Sequence, residues 1–591
     1  MKRVLIPILM FISGGAILGA MVFAHEIGID PNVQWGKDRI LGAAVGVLIL
    51  ILAAIISLYF DPLADWGQKI FAAAKPSKLE EGPTRYRMTM MYLSSGLLGI
   101  IIVITYVWFI SVGTWNNWPR TNDYRGYFDQ LGKAFDQGKL YIQTKPAPAL
   151  LLLSNPYDPL ARKQIPQADT WKIWDLSLYN GKLYLYWGPI PALIIAAIKP
   201  FLAVEVDDQY LVFAFILCLF FSQSLLILKI WSDFFDHLPA WTVLMSVVLG
   251  GFINPIPWIL SQPRIYEAAI VCGQFFFTAG IYFAYVAVSK RSPSKSLLAM
   301  SGFCWACAVG SRAFLLIPIL FLVLMVMLRL SATKQKPGEV LAAAAAFSSP
   351  LLFGGLLLAW YNWARFGSIF EFGFRYQITL LDLTKYGNDI FSLAYVPINL
   401  YVYFLNPPEL TKNFPFIKPA RADVSTIFHN HLPMLYTTEH IAGPLYAFPF
   451  IAFGIISIWA ISSGRRLRGL SEGHAKPRPE LHRWLLFSLI GSLPFAFSSL
   501  LLFFYSAQRY LEDVIPLTFL IATLGFWQGY SLLKKNHFGR VAYASIAVIL
   551  AFTSIISSFL LSFSADVTRI RSTNPALLTN LILLFLKIKH W

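Results

Sequence analysis

The chain is written in long apolar runs separated by short polar ones. Runs near 4–24, 40–59, 91–113, 209–230, 241–260, 266–289, 297–313, 314–330, 340–361, 443–462, 484–505, 512–530 and 541–563, with a shorter one near 575–588, have the length of membrane helices. A hydrocarbon core of about 30 Å takes about 20 apolar residues per crossing. The pattern predicts an all-α polytopic membrane protein with about 13–14 transmembrane helices. The first run, MKRVLIPILMFISGGAILGAMVFA, has too long an apolar stretch and no convincing small-residue cleavage site for a signal peptide, so it reads as a membrane helix.

The polar intervals give the topology. Lys and Arg gather in cytoplasmic loops. With Met1-Lys2-Arg3 inside, the loop carrying Lys69, Lys75, Lys78, Arg85 and Arg87 is inside too, and 114–187 lies on the opposite face. GPIPALIIAAIKPFLAV (188–204) raises a conflict, because a full crossing there would put Lys290, Arg291 and Lys295 outside. Lys199-Pro200 interrupts the run, so it reads as a partial, re-entrant segment, which is tolerated only against protein or a water-filled cavity. Then 290–295, 329–336, 464–483 and 534–540 are all cytoplasmic. The outer face receives 114–187, 252–265, Ser311-Arg312, 362–442 and 506–513. The corresponding divisions are 1–90 (two extra helices and a cytoplasmic loop), 91–361 (the core with its first external loop), 362–442 (a second large external loop) and 443–591 (C-terminal helices).

Composition agrees. Of 591 residues 57% are hydrophobic and only 13% charged, with mean hydropathy +0.59, well to the apolar side of soluble proteins. The net charge of +17 does not indicate nucleic acid, because the basic residues sit in short loops between apolar runs. Cys304 and Cys307 lie one turn apart in an apolar helix and read as small packing residues rather than a redox pair.

The outer loops are not bland connectors. In YFDQLGKAFDQGKLY, Phe128, Leu131 and Phe135 recur at helical spacing opposite Lys133, Asp136 and Lys139, which predicts an amphipathic helix in the headgroup interface, ended by Gly138. Asn180-Gly181 marks a tight turn between short aromatic segments. Asp129 and Asp136 read as solvated on the surface helix. WYNWARFGSIFEFGFRY (360–376), with Arg365, Glu371 and Arg375, is either an interfacial belt or a sugar-stacking surface. His429, His431, Glu439 and His440 are irregularly spaced, a weak pattern for a metal.

An acid directly after a membrane helix and ahead of an amphipathic helix resembles the first external loop of the GT-C glycosyltransferases, the superfamily of the bacterial aminoarabinose and protein O-mannosyl transferases. Asp123, Tyr127, Gly138 and Tyr141 occupy that family's places. Where the family commonly has a second acid this chain has Tyr124, which leaves Asp129 or Asp175 as substitutes. WGPIPALI (187–194), SQPRIYEAAIVCG (261–273), GSRAF (310–314) and QRYLEDVIP (508–516) resemble its later motifs, with Glu267 in an acid's place and Arg264, Arg312, Arg509 and Tyr510 as basic and aromatic members.

The resemblance implies transfer of a sugar from a polyprenyl-phosphate donor to a lipid, glycan or protein acceptor, at the extracytoplasmic face of a bacterial inner membrane. Such a reaction needs a carboxylate base within hydrogen-bond reach of the acceptor hydroxyl. It also needs cationic donors for the departing phosphate, a task suited to arginine. Asp123, Glu267, Asp129 and Asp175 are the acid candidates; Arg264, Arg312, Arg365, Arg375, Arg509, Tyr510 and Tyr127 are the substrate and phosphate candidates. No cofactor is required by the pattern, a divalent cation remains open, and no metal ligand is assigned. The competing roles are structural: helix capping for Asp123, dipole stabilisation for Glu267, headgroup contact for Arg312 and Arg509. Two other functions stand beside the enzyme: a transporter or flippase of a lipid-linked substrate, and a non-catalytic envelope-assembly subunit. A transporter would show paired inverted halves with polar residues at mid-membrane, whereas ionisable residues here concentrate at one face.

Overall fold

The computed structural model describes short stretches between residues 14 and 49, and then 85–589 apart from 123, 202–204, 254, 334, 388, 429–432 and 463–478. The expected helices at 4–24 and 40–59 lie largely outside the described residues, as does the basic stretch 464–478. The molecule is an all-α polytopic integral membrane protein. Among the described residues, eight helices are long and apolar enough to cross a membrane: Arg87–Ile110, Asp208–Phe234, Ala240–Ser261, Ile265–Val288, Ala313–Ser331, Pro337–Phe366, Pro479–Leu502 and His537–Ala565. Four further expected segments are shorter or less apolar helices: Lys295–Ser311, Gly454–Ser462, Ile515–Leu532 and Pro575–Lys589.

Local chemistry explains most boundaries. The first described span ends at Gly113, whose φ of 73° lets its N–H reach back to the Trp108 carbonyl at 2.8 Å, a Schellman closure. The Ala240–Ser261 span is broken at Ile253, which is extended; Pro255 and Pro257 follow, and a proline has no N–H to continue the ladder. Ile190–Ile198 with its 3-10 extension to Phe201 is 12 residues, about 18 Å at 1.5 Å per residue, and falls well short of a crossing. That is the partial segment expected at 188–204. It is packed into the protein: Gly188 lies so close to the next layer that a Cβ there would collide with the Gly310 carbonyl. The Lys295–Ser311 and Pro337–Phe366 helices approach similarly closely, a Cβ on Gly302 meeting the Phe347 carbonyl. Without a hydrophobic drive between helices in lipid, small residues that admit such contact hold them together.

The polar segments sort to two ends. At one end Arg87 donates to the Leu238 carbonyl (2.6 Å), Gln335 to the Arg291 carbonyl (3.3 Å), and His237 meets Ser531 (3.1 Å). At the other, Ser177 bridges to Gln377 and Phe391 to Phe503, and Thr437-Thr438 pairs in parallel with Tyr505-Ser506. The loops expected on a common face thus do gather. Ser177–Tyr179 and Lys182–Tyr184 form an antiparallel hairpin around Asn180 (φ 48°) and Gly181 (φ 71°), the doubly positive turn that Asn-Gly favours.

The amphipathic helix, Tyr127–Phe135, forms where the periodicity places it, and Gly138 (φ 68°) closes it. Its apolar face does not lie in headgroups, however. Phe128 and Leu131 are fully buried, and a Cβ on Gly132 would press on Ile195 and the Ala192 carbonyl of the partial segment. The hydrophobic period is the same for a helix lying on lipid and one lying on protein, and here protein supplies the apolar surface.

Candidate active site

Five chain segments bring charged and aromatic side chains together at the loop-rich end. From the first loop come Asp175 and Tyr186; from the start of the Ile265–Val288 helix, Arg264, Tyr266 and Glu267; from the joint after Ser311, Arg312. The second long loop contributes Glu439, and the turn before Ile515–Leu532 contributes Arg509, Tyr510 and Asp513.

Each arginine is matched to a carboxylate. Arg264 donates from Nη2 and Nε to Glu267, at 2.8 and 3.3 Å. Glu267 is 0% exposed, so the expected helix-start acid is a buried ion-pair member rather than a surface dipole partner. Arg312 grips Asp513 with Nε 2.8 Å from both oxygens and Nη2 2.5 Å from Oδ2. Arg509 donates from Nη1 to both oxygens of Glu439, at 2.8 and 2.9 Å, while Tyr505 donates to the same carboxylate at 2.6 Å. The rings bind these cations further. Arg509 lies 4.8 Å from the Tyr266 ring centroid and 5.1 Å from that of Tyr510, and Arg312 lies 5.3 Å from Tyr510. Such contacts gain from desolvation. The Tyr266 hydroxyl donates to Asp175, a buried residue held at φ 64° by its N–H bond to the Ile378 carbonyl.

Burial sets the charge states of the groups in the loops. Burial alone would raise the Glu439 carboxyl, but Arg509 and Tyr505 outweigh it and hold it below the ordinary range. Burial also works against the Arg509 guanidinium, yet Glu439 and the surrounding acids and tyrosines push it well up, so it stays charged. Glu512 differs: burial, and then the charge of Asp513, drive its carboxyl well above the carboxylate range. Both of its oxygens lack a hydrogen-bond partner among the described residues, which fits a neutral acid better than a buried anion.

The sequence candidates divide clearly. The structure brings together Asp175, Arg264, Glu267, Arg312, Arg509 and Tyr510. Tyr127 lies alongside, in electrostatic reach of Asp175, its hydroxyl donating to the Trp174 carbonyl at 2.9 Å. Arg365 is a buried clamp behind the cluster, donating to the Leu185 carbonyl (2.6 Å) and Asn362 (2.7 Å), so its belt position is not at the water interface. Arg375 is exposed and pairs with Glu371 at 2.6 Å. Asp129 is 4% exposed, not solvated, and holds Lys199 (2.6 Å), Lys133 (2.8 Å) and the Val206 N–H (3.1 Å). It pins the amphipathic helix to the partial segment, a structural task. Asp136 is exposed. Asp123, His429 and His431 lie outside the described residues.

Two acids join the site that periodicity alone passed over. Asp207 takes Arg120 (2.7 and 2.9 Å) and Tyr124 (2.5 Å). Asp208, 1% exposed, receives the Gly126 N–H at 3.4 Å, lies within electrostatic reach of Glu267, and keeps Oδ1 without a partner among the described residues. Tyr124, which stands where a second acid was sought, thus delivers its hydroxyl to an acid supplied by another helix. A cavity of about 400 Å³, lined by Arg421, Ser425, Tyr436 and Thr437 among others, reaches Thr438, the neighbour of Glu439. Among the described residues no cluster of three or more His, Cys, Asp or Glu could hold a metal ion.

No known family's sequence profile matches the chain, and no curated protein sequence matches it. Among solved structures, the apo oligosaccharyltransferase of Archaeoglobus fulgidus shares 11% identity, with a TM-score of 0.46 over 80% of this chain and 56% of that one. The chain thus spans little more than half the length of that protein, and a superposition this loose carries no functional weight.

Proposed function

We propose that the protein is a membrane glycosyltransferase that takes a sugar from a polyprenyl-phosphate donor and passes it to a hydroxyl acceptor at the extracytoplasmic surface of a bacterial inner membrane. The observation that carries this reading is Arg509. It is buried, sandwiched with Tyr266 and Tyr510, and committed to Glu439 through Nη1, yet its Nε has no acceptor among the described residues. A buried guanidinium with a donor to spare, beside two further arginines, suits a phosphodiester oxygen.

Arg264, Arg312 and Arg509 would take the charge that grows on the departing lipid phosphate. Asp123 or Asp208 would accept the acceptor's proton; Asp208 has an oxygen without a hydrogen-bond partner among the described residues and Glu267 in electrostatic reach. The aromatic rings give the sugar flat apolar faces.

The test is transfer from undecaprenyl-phosphate sugars carrying radiolabelled mannose, glucose, galactose or aminoarabinose, in proteoliposomes supplied with host membrane extract. Label should move to an acceptor fraction with the wild type, and Arg509→Gln should abolish it, as should the one of Asp123→Asn and Asp208→Asn that removes the base. Absence of transfer from every donor, together with undecaprenyl phosphate failing to protect the protein thermally, would overturn the reading.

A further inference from the structure

The C-terminal segment Val567–Thr573 follows the last long span and carries no member of the charged cluster, yet it holds a deeply buried arginine. Arg569 is 2% exposed, and its guanidinium donates to backbone carbonyls, with Asp566 in electrostatic reach. Nη2 donates to Ile110 (2.6 Å) and Pro119 (3.0 Å), and Nη1 donates to Ser261 (3.0 Å). These carbonyls belong to three places remote in sequence: the end of the first described span, the opening of the first loop, and the end of the Ile256–Ser261 helix. The corner around it is tied likewise, by Gln262 donating to the Ala565 carbonyl and Asn574 to the Val112 carbonyl at 3.0 Å. Burial lowers its guanidinium to about 10, so it remains a cation at neutral pH.

What those carbonyls adjoin gives the arrangement its meaning. Pro119 precedes Arg120, which is locked on Asp207; Tyr124 is locked there too, and Gly126 touches Asp208. On that side Gln209 donates to the Trp118 carbonyl at 2.9 Å. Ser261 stands three residues before Arg264, the partner of Glu267. One guanidinium therefore ties Pro119, at the head of the segment that carries Arg120, Tyr124 and Gly126, to Ser261, at the lead-in to the Arg264–Glu267 pair. A planar fork holds the three carbonyls in fixed directions, whereas a lysine ammonium, though it has three donors, is a compact charge on a flexible stem and fixes their geometry less.

We propose that Arg569 is a positioning residue, which fixes the 119–126 segment against the start of the Ile265–Val288 helix and so sets the transfer geometry without touching substrate. Its catalytic consequence rests on the glycosyltransferase reading; its positioning role does not.

The experiment therefore has two independent arms on the full chain in detergent, with Arg569→Gln and Arg569→Lys. The first is hydrogen exchange by mass spectrometry, which needs no activity. Peptides covering 119–126 and 261–264 should exchange about tenfold faster or more in Arg569→Gln, while those in the Lys295–Ser311 and Pro479–Leu502 helices stay as in the wild type. The second is transfer from the labelled undecaprenyl-phosphate sugars. A misplacement of about 1 Å can cost on the order of 100-fold, so kcat should fall by that order while KM for the donor changes little. Arg569→Lys should show both effects in weaker form. Unchanged exchange at 119–126, or acceleration spread uniformly over the molecule, overturns the proposal. So does a wild-type-like Arg569→Lys if Arg569→Gln fails to accumulate. Inactivity of the wild type with all donors, alongside the local exchange change, would instead strike the functional reading and leave the positioning role standing.

Discussion

The ion pair between Arg312 and Asp513 separates structure from function, because its two members can be removed together. The guanidinium meets both carboxylate oxygens with Nε and one with Nη2, at 2.5–2.8 Å, and the side chains are 10% and 4% exposed. An exposed pair would be worth about 0–1 kcal/mol. Removing one member of a buried pair is different, since it leaves an uncompensated charge and costs about 3–5 kcal/mol. Total stabilities run to about 5–15 kcal/mol, so Arg312→Ala should lower the unfolding temperature sharply and lose activity for that reason alone. The informative variant is Arg312→Met with Asp513→Leu, because replacing a buried pair by apolar residues of similar volume is neutral or stabilising by about 1–4 kcal/mol. Gln274 donates to the Asp513 backbone carbonyl at 3.1 Å, and that bond survives the exchange. If Arg312 is only a staple, the double variant regains both stability and transfer. If it binds donor phosphate, the double variant melts like the wild type, followed by tryptophan fluorescence, yet transfers nothing from the labelled donors. Full activity in the thermally restored double variant would refute the phosphate role.

Three further outcomes are expected. If Asp123 is the base, Asp123→Asn should fold and lose on the order of 100-fold or more in transfer, whereas Asp136→Asn, at the exposed end of the helix, should be nearly silent; Gly126 caps that helix without a side-chain bond, so full activity in a folded Asp123→Asn protein would return the base to Asp208. Burial would raise the Asp129 carboxyl, but Lys133, Lys199 and the Val206 N–H hold it below the ordinary range, so its contribution is present above the unfolded value of about 3.9 and is lost as pH falls through the lower folded value. Acid titration of the melting temperature should show that loss, and Asp129→Asn should flatten it. Cysteine at Ser154 should react with an impermeant thiol reagent on intact cells and cysteine at Lys534 should not; the reverse pattern would invert the topology.

The sequence made the helices legible because membrane spans announce themselves by length and apolarity, and it made the common end legible because basic residues mark the other one. It also named most of the arginines, since each stands next to a helix end in a polar joint. What it did not show was pairing. Asp208 stands just ahead of the apolar run at 209–230, where an acid reads as part of the loop. Glu439 was weighed only as a neighbour of histidines, although its partner Arg509 lies 70 residues on. Glu512 lies inside QRYLEDVIP, and nothing in that stretch marks its burial, which is set by the tertiary packing. Asp129 and the Phe128 face were misjudged for one shared reason. Amphipathic period specifies that one side is covered, and the identity of the cover, lipid or the Ile190–Ile198 segment, is a tertiary fact.

The pairing bears on how the site would work. Three arginines buried without partners would be costly, and the three carboxylates compensate them in the absence of donor. The cations are thereby held in place before any ligand arrives, so little reorganisation remains for binding. An incoming phosphodiester then has two routes. It can take donors left over from the pairs, such as Arg509 Nε, or it can displace a carboxylate. The first route leaves the pairs intact. On the proposed reaction the second would free an acid, and Glu267, with Asp208 in electrostatic reach, would be the candidate. The two routes differ in a measurable way. Displacement makes donor affinity depend on the competing carboxylate, while binding to spare donors does not. Glu267→Gln sharpens the distinction: it should tighten donor binding if Glu267 competes with phosphate for Arg264, and leave binding unchanged if phosphate sits on Arg509 alone.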